Sequence, residues 1–142
     1  MKVDEVMTRD VTTIQSSDSV RQAAERMRRL GVGAMPVLSG NDVVGIVTDR
    51  DIAVRAVALG KNPEETVVGM VMTEDVISCR EDDDLDEAVR LMEERQIRRI
   101  LVMNAEGRIA GILSLGDIAI RLDREKSGEV LREVSEPAAT LP

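Results

Sequence analysis

Val6-Met7-Thr8-Arg9-Asp10-Val11 returns 65 positions later as Val71-Met72-Thr73-Glu74-Asp75-Val76. At the same offset Asp18 meets Asp83, Ala23 meets Ala88, Met27 meets Met92 and Val37 meets Val102. The offset then becomes 66: Gly45-Ile46 meets Gly111-Ile112, and Asp51-Ile52-Ala53 meets Asp117-Ile118-Ala119. The one-residue slip falls between Val37 and Gly45, in a stretch that reads as a hairpin turn, and turns absorb such insertions. A period this long exceeds the roughly 20–50 residues of solenoid repeats. It restricts the chain to two copies of one small module, expected to pack about a pseudo-two-fold axis.

Within a copy the hydrophobic period changes in an orderly way. Residues 11–14 read as a short strand, followed by the N-cap residues Ser16, Ser17 and Asp18. Val20, Ala23, Ala24, Met27 and Leu30 give one apolar helical face, which Gly31 and Gly33 stop. Residues 35–38 and 43–47 read as paired strands around the turn 39–42, and residues 52–59 as a mostly apolar helix ending at Gly60. The second copy predicts strand 76–79, helix Leu85–Arg95, strand 100–103, strand 109–113 and helix 118–122. The fold class is therefore α/β (α+β), with the order β-α-β-β-α twice. The expected division is repeat 1 over 3–60, a linker over 61–68, repeat 2 over 69–123, and a short C-terminal helix and tail over 124–142. Pro137 is expected to end that helix, and residues 138–142 to fray.

Composition then narrows the chemistry. The 142 residues contain no His, Phe, Tyr or Trp, and Cys79 is the single Cys. This removes His-based acid/base catalysis, a Cys–His pair, a CxxC pair, an intrachain disulfide and ordinary zinc sites. It also removes aromatic platforms for stacking bases. With 27 acidic against 19 basic residues the net charge is −8, which speaks against broad nucleic-acid binding. No stretch approaches the roughly 20 apolar residues of a membrane span, and the opening residues do not resemble an export signal. A cytoplasmic protein is expected, with no nucleic-acid or membrane partner.

The Val-Met-Thr openings, the Met35-Pro36-Val37 strand, and Gly45-Ile46-Val47-Thr48-Asp49-Arg50-Asp51 with its counterpart Gly111-Ile112-Leu113-Ser114-Leu115-Gly116-Asp117 resemble the CBS domain. The whole chain, over residues 3–123, resembles a stand-alone tandem pair of them, a Bateman module. The resemblance implies a regulatory role, with AMP, ADP, ATP or S-adenosylmethionine bound in clefts between repeats, and assembly as disc-like dimers.

Thr48-x-x-Asp51 and Ser114-x-x-Asp117 match that family's nucleotide motif. A strand would deliver the hydroxyl to the first turn of a helix, and the acceptor-only carboxylate suits two ribose hydroxyls. The same pattern is a helix capping box. Ser39-x-x-Asp42 and Ser78-x-x-Glu81 also fit it where no ligand is expected. Arg98 and Arg99 precede the strand at 100–103 and suit phosphate oxygens, or else offset Glu93 and Glu94. The first copy has Gly33 and Ala34 there, which Arg50 would partly offset. Met35, Pro36, Ile100 and Leu101 sit where the family lines its adenine pocket, and are core residues first. The eight Met read as gap-filling core, Cys79 as a buried spectator, and the acid run 81–84 as a solvated helix start rather than a metal site.

The expectation is a non-catalytic sensor of adenosine-containing ligands, acting in trans on an effector protein. The rival is a ligand-free dimeric interaction protein that keeps the fold. Residues 53–59 and 118–122, apolar nearly all round, call for cover by a second chain, so a homodimer is expected.

Overall fold

The computed structural model describes the backbone of residues 1–135 and the side chains of residues 1–125. The chain forms two compact units whose limits differ from those of the repeats. One is residues 10–77, and the other joins residues 1–9 to residue 78 onward.

The first unit runs β1 (Ile14–Gln15), α1 (Val20–Leu30), β2 (Ala34–Ser39), β3 (Asp42–Thr48) and α2 (Asp49–Ile52). Its sheet has the order β1-β2-β3, with β1 parallel and β3 antiparallel to β2. α1 begins on a complete capping box between Ser19 and Gln22 and ends where Gly31 takes φ +67°. Its buried positions Val20, Ala23 and Met27 meet Ile14, Met35, Val37, Val47 and Ile52 in one core, closed by Val68 and Val71.

The second unit repeats this with β4 (Ser78–Arg80), α3 (Leu85–Arg95), β5 (Arg99–Met103), β6 (Ile109–Ser114) and α4 (Leu115–Ser135). Its sheet has the order β4-β5-β6, again one parallel and one antiparallel pair. Leu85, Ala88 and Met92 are buried on α3, as are Ile100, Leu101, Val102, Ile112 and Leu113 on the strands. Each hairpin carries a bulge at the matching place, between Val37 and Leu38 and between Val102 and Met103. Beyond it Leu38 pairs with Val43 but Met103 with Ile109, so the extra residue of the second copy is held in the turn.

Several boundaries depart from the sequence reading. The first strands are shorter and later than residues 11–14 and 76–79. The Arg26 guanidinium takes the Thr13 carbonyl at 3.1 Å, and Val76 N–H turns back to Glu74 O at 2.8 Å. The N-cap of α1 is Ser19 rather than residues 16–18. The helix expected over 52–59 starts at Asp49 and continues as a π-helical turn, Ala53–Val57. The short C-terminal helix expected after residue 123 is the continuation of α4. Pro137 and residues 138–142 lie outside the described residues. No helix among the described residues is long and apolar enough to cross a membrane.

The two Val-Met-Thr segments set the unit limits. Thr73 forms an antiparallel bridge with Ile46 on β3, with both backbone hydrogen bonds made at 2.8 and 3.0 Å. Thr8 bridges Ile112 on β6 in the same way, at 2.8 and 3.1 Å. Each opening segment thus joins the sheet of the other repeat. The approach requires glycine: a Cβ on Gly45 would stand 2.7 Å from Thr73 O, and one on Gly111 2.5 Å from Thr8 O.

Candidate functional site

In both units the last strand turns directly into a helix through the Ser/Thr-x-x-Asp motif. Thr48 has extended backbone and its hydroxyl accepts from Asp51 N–H at 3.1 Å, while the Asp51 carboxylate accepts from Thr48 N–H at 3.0 Å. Ser114 and Asp117 make the same reciprocal pair at 3.0 and 3.3 Å. Capping is therefore realised in both copies, each satisfying two backbone donors that the first helical turn leaves open.

The exchanged segments bring a further hydroxyl to each carboxylate. Thr73 reaches Asp51 with oxygen separations of 3.4 and 3.5 Å, and Thr8 donates to Asp117 at 3.2 Å. Thr8 and Thr73 were not among the sequence candidates, although both lie in the repeated Val-Met-Thr opening. Arg55 and Arg121, equivalent at the offset of 66, were missed too. Arg55 donates to Val71 O and Met72 O at 3.1 and 3.0 Å, and Arg121 to Glu5 O at 2.9 Å. Each guanidinium clamps the segment that docks on its unit.

The two carboxylates differ in freedom. Asp51 is 8% exposed, and besides Thr48 and Thr73 it has the Arg55 guanidinium 3.8 Å away. Asp117 is half-buried and accepts only through Oδ2, so Oδ1 has no partner among the described residues. It lines a cavity of about 340 Å³ together with Glu5, Met7, Ile120, Arg121 and Arg124.

The remaining candidates fall on either side of these motifs. Arg99 is the register partner of Ser114 on β5, so both side chains leave the same face of the sheet. Leu115 N–H bonds Arg98 O, and both arginines are exposed. In the first unit Ala34 faces Thr48 and Asp49 N–H bonds Gly33 O. Arg50 is exposed on α2. Met35, Pro36, Ile100 and Leu101 are buried in the cores. Arg98 and Arg99 make no ion pair with Glu93 or Glu94.

The acid run is spent locally. Asp83 accepts from Arg80 N–H at 2.9 Å, Asp84 pairs with Lys2 at 3.1 Å, and Asp82 lies 3.4 Å from Arg80. Among the described residues no group of three or more acids and Cys is placed to hold a metal ion. Cys79 is buried beside Asp83. Burial first, and the Asp83 charge second, push its thiol up to about 11, which keeps it neutral and unreactive near pH 7.

Two β-α-β-β-α copies, each turning from its last strand into a helix through a capped Ser/Thr-x-x-Asp, define a tandem-repeat α/β module. The chain belongs to the CBS domain family, whose pattern matches residues 3–57 and again 68–124. It is similar to the uncharacterized protein YlbB of Bacillus subtilis, 38% identical over 95% of this chain and 92% of that one. It is 35% identical to the uncharacterized protein MK0525 of Methanopyrus kandleri over 83% of its own length, but spans only 61% of that protein.

Among solved structures, a protein with CBS domains from Burkholderia ambifaria aligns with a TM-score of 0.80 at 29% identity, over 88% of this chain and 96% of that one. The CBS domain pair of protein MJ0100, in complex with methylthioadenosine and S-adenosylmethionine, aligns at 0.78 with 25% identity, over 88% and 98%. CBSX2 in complex with AMP aligns at 0.71 with 28% identity, again over 88% and 98%.

Proposed function

We propose that this chain is a non-catalytic regulatory module that binds an adenosine-containing ligand and passes its occupancy to a partner protein. The observation that carries the reading is Asp117. Its carboxylate stands half-buried at a strand-to-helix turn with one oxygen uncommitted, beside a cavity of about 340 Å³ that also has guanidinium groups. A carboxylate accepts from vicinal ribose hydroxyls, and guanidinium forks suit phosphate. The S-adenosylmethionine and methylthioadenosine held by the CBS domain pair of MJ0100 and the AMP held by CBSX2 support an adenosine-containing ligand, here AMP, ADP, ATP or S-adenosylmethionine. Thr48, Arg50 and Asp51 are the equivalent station of the first copy, and Arg98 and Arg99 the phosphate contacts of the second. Met35, Pro36, Ile100 and Leu101 support the strands from inside.

The module acts as a homodimer. Val54, Val57 and Leu59 of the first unit and Ile120 and Leu122 of the second are each about half exposed or more, and a second chain is the proposed cover.

A thermal-shift series with AMP, ADP, ATP and S-adenosylmethionine tests the reading. At 100 times its dissociation constant a one-site ligand adds about 2.7 kcal/mol to stability. A melting temperature unmoved by all four would favour the rival, a dimeric interaction protein. That rival has one specific support, because Asp51 is already engaged by protein groups.

A further inference from the structure

We infer that the two Asp motifs are not equivalent. The Ser114–Asp117 station alone takes the ligand, and that ligand carries phosphate rather than a sulfonium. The inference rests on the adenosine-ligand reading above and deepens it.

The difference starts in the sequence that follows each motif. Arg55 and Arg121 are equivalent, but four residues further on the first copy has Leu59 and the second has Glu125. Glu125 draws Arg121 to itself at 3.3 Å. Arg55 has no acid one turn on; within the π-helical turn it donates to Val71 O and Met72 O and stands 3.8 Å from Asp51. Asp51 accepts Thr48 N–H on Oδ2, has the single Thr73 hydroxyl 3.4 and 3.5 Å from its two oxygens, and has the Arg55 guanidinium 3.8 Å from Oδ1. A ribose there would compete with these groups. Asp117 keeps Oδ1 open next to a cavity.

Charge follows the same division. Arg98, Arg99 and Arg124 of the second copy correspond to Gly33, Ala34 and Ala58 of the first. Arg99 lies directly across the sheet from Ser114, and Arg124 lines the cavity with Arg121 and Asp117. The cavity's other acid, Glu5, already accepts from the Lys2 backbone N–H. The first copy offers one arginine in exchange, Arg50 in place of Gly116. The helices differ as well. α4 runs 21 residues, whereas α2 has four residues before the π turn. Arg98 and Arg99, on the strand end beside the start of α4, and Arg124, further along that helix, attract phosphate oxygens and repel a sulfonium.

Titration calorimetry of the full chain with AMP, ATP and S-adenosylmethionine, repeated on Asp117→Asn and Arg124→Ala, tests this. The expected result is one nucleotide per chain. Asp117→Asn weakens all binding about 10- to 100-fold, as expected for loss of charge-assisted hydrogen bonds. Arg124→Ala weakens AMP and ATP about tenfold, and S-adenosylmethionine binds at least tenfold more weakly than AMP. Melting of the ligand-free variants near wild type shows that neither loss is unfolding, and Arg124, exposed on α4, keeps the test open if Asp117→Asn fails to fold. Two nucleotides per chain, one site surviving in Asp117→Asn, or S-adenosylmethionine binding as tightly as AMP would overturn the inference and leave the sensor reading standing. Absence of heat with every ligand would overturn both.

Discussion

Thr8 and Asp117 stand 109 positions apart in the chain and are joined by a hydroxyl-to-carboxylate hydrogen bond of 3.2 Å. Thr73 and Asp51 make the equivalent contact in the other unit. Each repeat therefore supplies the segment that completes its neighbour's motif. The proposed ligand, bound at such a carboxylate, would act directly on a chain segment belonging to the other copy.

The unequal networks predict unequal stability effects. Asn at either position keeps an acceptor for the capped backbone N–H. Both variants lose charge-assisted bonding to a threonine hydroxyl, and Asp51 loses in addition the attraction of Arg55, in a side chain that is nearly buried. Asp51→Asn should cost about 1–2 kcal/mol and Asp117→Asn less than about 1 kcal/mol. Urea denaturation followed by circular dichroism measures both, and equal losses would contradict the division.

Gly45→Ala and Gly111→Ala should each destabilise by about 1–3 kcal/mol, because the new Cβ meets a backbone carbonyl that cannot rotate away. Gly107→Ala is a useful contrast. It has open space but φ +75°, so its cost is conformational and nearer 1 kcal/mol. Denaturant midpoints that fail to separate the tight sites from the open one would show that the segments can shift.

Gln96 ends α3 in the left-handed region at φ +54°, where the first copy has Gly31 at φ +67°. An L side chain there costs roughly 1–2 kcal/mol. Gln96→Gly should therefore raise stability by about 1 kcal/mol, and Gly31→Ala should lower it by a similar amount. Thermal melts of the pair, with opposite signs, are the check.

Cys79 provides a pH dependence. Its folded thiol is raised to about 11 by burial and by Asp83, so the neutral form is favoured in the fold. The contribution is fully present below the unfolded thiol's ordinary pKa and is lost as pH rises through about 11. Iodoacetamide labelling at pH 8 should be slow in the native protein and fast in urea. Equal rates would show an exposed thiol.

Light scattering should report a dimer at micromolar concentration. Leu59→Glu places a charge on the most exposed large apolar residue among the described residues and should shift the population toward monomer. A wild-type monomer would remove the proposed cover.

The sequence by itself determined much of what depends on near neighbours in the chain, though not each cap and boundary. The apolar spacing after Asp84 marks α3 as Leu85–Arg95, and the 65-to-66 slip locates the extra residue in the second hairpin turn. Thr48-x-x-Asp51 and Ser114-x-x-Asp117 announce their own caps, since a capping box closes over three positions. Tertiary structure decided what distant segments do. Two nearly identical Val-Met-Thr stretches carry no mark of which sheet each will join, because either copy offers the same glycine and the same edge strand. Only the path of the chain sends Thr8 to Ile112 and Thr73 to Ile46. The fate of Arg55 was hidden for the same reason: a guanidinium on a long flexible stem goes to whichever acceptors the fold brings near. Here that is Asp51 with the carbonyls of Val71 and Met72, while Glu125 holds its equivalent Arg121.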